Sequence, residues 1–275
     1  MKPIRLFAAL LMAALVVTSC IKWVEEEGGN SGNNGNSQGG KRVSRILYSR
    51  DGSARMAFEY ADGKLVHSTD SWDNFMYTYS GKNATIVVKP YSPYVTLEWN
   101  LQLNNDGYVE SAIAKYQGGT DSQEAVLTFE YSNGYLTKYN YNYSSDYERD
   151  QYTYELKYDS NNNLSSLTQI NQNKISMIIN YTPLNISSKG KTYWILCDNT
   201  WLQDWAGGID LFPFYFAGFL GKEPKNVIST CTINAINTFG SKEYSYSYTY
   251  LFDSDNYVKS MIDSGGYVGS IFIYE

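Results

Sequence analysis

Three carboxylates, Asp198, Asp204 and Asp210, stand among the indoles of Trp194, Trp201 and Trp205. This mixture suits a glycan subsite. Indole faces stack on sugar rings, and two carboxyls about 5 Å or about 6.5 to 9.5 Å apart can cleave a glycosidic bond, provided one is held protonated by its surroundings. Trp201, Trp205, Asp204 and Asp210 are therefore the candidate binding residues, and a glycan-cleaving hydrolase is their enzymatic reading. The plainer reading, which we prefer, has Asp204 and Asp210 capping or solubilising two short helices.

Other chemistry is sparse. The only histidine is His67, which removes most catalytic triads and histidine-rich metal sites. No Cys-x-x-Cys or phosphate-cradling glycine loop occurs. Asp159-Ser-Asn-Asn-Asn and Asp253-Ser-Asp255-Asn place oxygens at alternate positions, as calcium loops do, but lack the remaining ligands. Turn chemistry accounts for both. No catalytic residue, metal or cofactor is expected. A net charge of -6 and a pI near 5.0 offer no phosphate-binding surface, so no nucleic-acid partner is expected either.

The residues around the tryptophans must be held by a larger frame. With 43% hydrophobic residues, 18% charged residues and a mean hydropathy of -0.40, the 275-residue chain is too apolar to be disordered and too polar for a helical membrane protein. From Arg42 onward one unit recurs: an alternating strand, a turn rich in Asp, Asn and Gly, and a second alternating strand. Phe58-Glu-Tyr60 leads into Asp62-Gly63, Leu101-Gln-Leu103 into Asp106-Gly107, Phe129-Glu-Tyr131 into Asn133-Gly134, and Leu156-Lys-Tyr158 into Asp159 to Asn163. Tyr248-Thr-Tyr250 begins a fifth copy. Asp-Gly and Asn-Gly supply the positive φ of two-residue hairpin turns, so each unit reads as a β-hairpin.

Tyr139-Asn-Tyr141-Asn-Tyr143, Tyr152-Thr-Tyr154 and Tyr244 to Tyr250 place tyrosines on one sheet face and polar residues on the other. A tyrosine-lined core is preferred over a stacking platform, because the stripes recur on many strands. The alternation stops between Tyr193 and Thr230, where Leu211-Phe-Pro-Phe-Tyr-Phe-Ala-Gly-Phe-Leu220 is too apolar to lie exposed. The expected architecture is an all-β antiparallel meander of hairpins, one curled and partly closed barrel-like sheet over residues 42–275, with a short helical aromatic plug at about 199–221. Cys197 and Cys231 flank the plug; a disulfide between them and two separate buried thiols fit equally well.

Residues 1–19 have the order of a secretory signal peptide: Lys2 and Arg5, the apolar Leu6 to Val17, then small residues up to Cys20. The apolar run is too short to span a bilayer comfortably. Cysteine at the cleavage point resembles the bacterial lipobox, with Val17 in place of the usual leucine. Lipidation of Cys20 is expected, with residues 20–41 as a flexible Gly/Asn/Ser tether. The acidic run at Glu25 to Glu27 fits either a surface-export signal of Bacteroidota lipoproteins or a plain solvated linker.

These starts, the Tyr-x-Tyr hairpin units and the stretch Phe216-Ala-Gly-Phe-Leu-Gly-Lys-Glu-Pro-Lys-Asn226 together resemble a family of Bacteroidota envelope lipoproteins with a porin-like fold and no assigned activity. The resemblance covers about residues 42–275, departs from the pattern at Ile228, and carries over no catalytic residue. It implies a single antiparallel β domain. Outward positions such as Asn140, Asn142, Glu155, Lys157, Ser245 and Ser247 argue against a membrane channel. The expected protein is a non-enzymatic lipoprotein at the periplasmic or exposed face of the outer membrane. Its expected partners are the membrane, through the acyl anchor, and a glycan, peptide or protein ligand.

Overall fold

The computed structural model describes residues 40–48, 51–70, 72–90, 96–117, 123–146, 148–172, 174–191, 211–237, 240–264 and 269–275. Sixteen strands follow one another: β1 (Val43–Tyr48), β2 (Ala54–Ala61), β3 (Lys64–Thr69), β4 (Asp73–Ser80), β5 (Asn83–Pro90), β6 (Thr96–Leu103), β7 (Val109–Gln117) and β8 (Glu124–Ser132). Then come β9 (Tyr135–Ser144), β10 (Arg149–Tyr158), β11 (Leu164–Asn171), β12 (Lys174–Pro183), β13 (Ile228–Asn237), β14 (Gly240–Phe252), β15 (Val258–Asp263) and β16 (Gly269–Tyr274). A five-residue helix, α1 (Phe212–Phe216), lies in the β12–β13 connection.

Each strand pairs antiparallel with its neighbours in the chain, and β1 pairs with β16, so the sheet is a closed barrel. Closure is complete, where the sequence led us to expect a partly closed sheet. Arg42 and Glu275 exchange backbone hydrogen bonds of 2.9 and 3.0 Å beside the Val43–Tyr274 pair. Pairing the two terminal strands satisfies backbone groups that an open sheet would leave as reactive edges.

The turns work as their residues dictate. Asp62 and Gly63 have φ of 48° and 79°, and Asn133 and Gly134 have 53° and 83°, the doubly positive pair that matches hairpin twist. Asn104, Asp159 and Asp253 each accept two backbone N–H bonds through Oδ1, closing three longer turns of one design. These turns, and the β12–β13 connection, all lie at one end of the barrel.

Alternation sorts the side chains. Trp99, Leu101, Ala114, Leu127, Phe129, Tyr154 and Met177 are buried on the inner face. Cross-strand rows on the outer face carry charge: Glu98–Lys115–Glu124, and Glu130–Lys138–Glu155 with a Lys138–Glu130 contact of 3.1 Å. A round sixteen-stranded barrel would enclose an aqueous channel. Here the phenylalanines of α1 are buried in the core. Phe212 and Phe216 meet Phe58, Phe212 meets Phe75, and Phe214 meets Trp99 and Phe129, at centroid distances of 4.5 to 6.0 Å. The filling is uneven, because Tyr244, Tyr246, Tyr248 and Tyr250 on the inner face of β14 stay only half-buried.

Candidate functional site

The stretch after α1 is where the fold departs from plain hairpins, and it builds the most elaborate site in the described residues. Helix α1 begins at Phe212 with Pro213 in its first turn, where a missing N–H costs nothing, and stops in a Schellman motif. Gly218 N–H donates to Tyr215 O at 3.0 Å and Phe219 N–H to Phe214 O at 2.9 Å, with Gly218 at φ 82°. The chain then runs across the barrel end. Val109 N–H and the Tyr131 hydroxyl both donate to Phe219 O, at 2.9 and 3.1 Å. Lys222 N–H donates to Gly134 O, Lys225 N–H to Asn162 O, and Val227 N–H to Ile186 O. One segment is thereby sewn to the turns of three hairpins.

Gly221 makes this possible. It forms a β-bridge with Tyr135, and a Cβ there would lie 2.5 Å from Gly134 O, with φ at 86°. Only glycine fits on both counts.

Beside it lies a small, partly open cleft lined by Leu136, Tyr139, Leu156, Tyr158, Lys191, Tyr215 and Glu223 among others. Glu223 accepts a hydrogen bond from the Tyr215 hydroxyl at 3.0 Å and lies 3.6 Å from Lys191 Nζ. Lys191 in turn donates to Tyr215 O at 2.7 Å and sits over the Tyr215 ring. Desolvation raises the Glu223 carboxyl pKa, against the opposing pull of Lys191 and the Tyr215 hydroxyl. Its side chain as a whole keeps 32% of its surface accessible. Together with Tyr215, this pair orders the described part of the connection.

The tyrosines at this end share a second task. The hydroxyls of Tyr60, Tyr79, Tyr131 and Tyr158, each the last aromatic of its strand, donate to the carbonyls of Val43, Leu65, Val109 and Leu136 at 2.8 to 3.2 Å. Each carbonyl belongs to the neighbouring strand, where the backbone steps toward the turn. This explains the recurring Phe-Glu-Tyr and Leu-Lys-Tyr strand ends.

In fold the barrel is porin-like. It is similar to a porin-like protein from Bacteroides vulgatus ATCC 8482, with a TM-score of 0.61 and 16% identity over 86% of this chain and 99% of that one. A porin-like protein from Bacteroides uniformis ATCC 8492 gives a TM-score of 0.57 and 15% identity over 85% and 96%. At such identities the likeness concerns the fold alone. Compared with family models and with curated proteins, the sequence matches none.

The residues singled out in the sequence are distributed unevenly. Trp201, Trp205, Asp204, Asp210, Cys197 and Cys20 lie outside the described residues, as does the plug before Leu211. Cys231 is a buried free thiol whose Sγ lies 3.4 Å from the Tyr248 hydroxyl, and burial raises its pKa. Of the two expectations, a bridge to Cys197 or two separate buried thiols, the described residues show only Cys231, with its thiol free. His67 faces outward on β3, 3.4 Å from Glu59 Oε2. Asp253 and Asp255, weighed for calcium, instead hold the Lys41 ammonium at 2.8 and 2.7 Å. Sequence reasoning missed Lys191, Tyr215 and Glu223. Their signal was the charged Lys-Glu-Pro following an apolar run, which reads as a loop until the run is known to be buried.

Proposed function

We propose that this chain is a cell-envelope lipoprotein, held to the outer membrane through an acylated Cys20, whose barrel stands in water and acts by binding rather than by catalysis. The observation that carries this reading is the inversion of polarity across the wall. The inner face holds the phenylalanines of α1 and a continuous apolar core, while the outer face bears rows of Glu, Lys, Asn and Thr. A spanning barrel needs the reverse, since a lysine facing lipid at mid-depth costs about 2 to 4 kcal/mol. Asn140 is hydrogen-bonded to Thr128 and Thr153 on the outer wall, a ladder suited to solvent. The positively charged, apolar, small-Cys order at the N-terminus supports the anchor. Whether the barrel hangs in the periplasm or stands on the cell surface follows from how the Glu25–Glu27 run is read during export.

The test has two arms on the full-length protein. Labelled palmitate should enter the wild type and not Cys20→Ala; equal label in both ends the anchored reading. Planar bilayers doped with the purified protein should show no stepwise conductance; regular steps would make it a channel.

A further inference from the structure

The two ends of the barrel use tyrosine differently. At the plugged end the hydroxyls of Tyr60, Tyr79, Tyr131 and Tyr158 are committed to backbone carbonyls. At the opposite end, where β7 finishes and β9 turns into β10, Tyr116, Tyr141, Tyr143 and Tyr152 gather on the inner face with no hydrogen bond from their hydroxyls to any described residue. Tyr141 pairs across the ladder with Tyr152, and Tyr143 with Asp150. The Tyr141 ring lies 6.5 Å from Tyr143 at 22° and 6.3 Å from Tyr152 at 15°. Burial first, and then the nearby Tyr116, Tyr143 and Asp150, raise the pKa of Tyr141, so its phenol stays a protonated donor. Tyr116, Tyr141, Tyr143 and Asp150 all remain half-buried, reachable from the mouth.

We propose that this mouth is a carbohydrate site, taking a neutral glycan along the stepped tyrosine rings with its hydroxyls shared among the free phenols and Asp150. The proposal deepens the binding reading above and rests on it. Near-parallel rings present flat apolar faces to the C–H faces of pyranose rings, while each phenol edge can donate and accept. Asp150 accepts only, so it needs a ligand rich in donors. Sugar hydroxyls supply them and a proline-rich peptide does not. An extended peptide would need a free strand edge, and the closed barrel offers none. Asp150 and the net charge of -6 disfavour uronic-acid polymers and other anions.

Isothermal titration of the full-length protein in a sugar-free detergent tests it, against maltoheptaose, cellohexaose, xylohexaose, mannohexaose and laminarihexaose, with polygalacturonate and decaproline as comparisons. At least one neutral oligosaccharide should bind. Tyr143→Ala should weaken that binding roughly tenfold or more by removing a stacking face. Tyr141→Phe and Tyr116→Phe keep the rings and should weaken it about 2- to 10-fold with unchanged melting. Should Tyr143→Ala fail to fold, the two phenylalanine variants decide alone. The proposal is overturned if no neutral oligosaccharide binds, if binding is indifferent to these substitutions, or if only decaproline or polygalacturonate binds. In each case unchanged palmitate labelling and absent conductance would leave the tethered-barrel reading standing, and failure of those two would strike it instead.

Discussion

Replacing Phe214 with alanine is the sharpest probe of the filled lumen. Phe214 is fully buried, 5.4 Å from the Trp99 ring in an edge-on pair and 6.0 Å from Phe129, so it joins α1 to β6 and β8. Truncating a core phenylalanine costs about 3 to 5 kcal/mol through lost burial and the cavity left behind. Alanine is the best helix former, so none of that loss can be blamed on α1's backbone. For a chain of this size about 2 to 4 °C accompanies each kcal/mol, which makes the expected fall in Tm about 6 to 20 °C. Denaturant unfolding followed by tryptophan fluorescence should show a lower midpoint with an unchanged slope, since the same surface is exposed on unfolding. Phe214→Leu, which largely preserves volume, should cost under about 1.5 kcal/mol, and the outward Ser247→Ala should stay within about 0.5 kcal/mol. A Tm shift below about 2 °C for Phe214→Ala would refute the idea that α1 is part of the core.

Three further outcomes follow from local geometry. Gly221→Ala should lower the denaturation midpoint well beyond Gly81→Ala; both have positive φ, but only the Gly221 Cβ meets a backbone oxygen, at 2.5 Å, whereas Gly81 faces open space. Tyr131→Phe should cost about 0.5 to 1.5 kcal/mol in equilibrium unfolding by removing the hydroxyl shared between the carbonyls of Val109 and Phe219, the latter keeping its bond from Val109 N–H, while Tyr143→Phe should be close to neutral. Glu223 has a folded-state pKa raised above its ordinary 4.5, so between those two values the native state holds a proton that the unfolded state has lost. Wild-type stability should therefore fall, relative to Glu223→Gln, as pH rises from about 4.5 through the raised pKa, and parallel stability–pH curves would contradict this.

Hairpins were legible because their determinants are local. Asp62-Gly63 and Asn133-Gly134 dictate turn type within two residues, and the alternation of Tyr139 to Tyr143 dictates which face is inside. Closure was not legible, because the Val43–Tyr274 register joins residues at opposite ends of the chain and no local pattern encodes it. The apolar run from Leu211 announced burial by composition alone, yet its anchoring depends on Gly221 meeting Gly134, a purely tertiary contact between residues far apart in the chain. The strand-end tyrosines were visible as a repeat, but their hydrogen bonds to neighbouring carbonyls require knowing which strands pair. Likewise, the free phenols at the mouth differ from the committed ones only by position in the barrel, since Tyr143 and Tyr158 end equally plain alternating strands.

The porin-like barrel wears polar rows outward, as a barrel proposed to stand in water must. Spin labels placed singly at Lys115, Asn140, Glu155 and Ser247 of the full-length protein in lipid vesicles test it directly. Each label should be relaxed strongly by a water-soluble nickel chelate and weakly by oxygen. A band of labels shielded from nickel and relaxed preferentially by oxygen would place the wall in lipid and contradict the account.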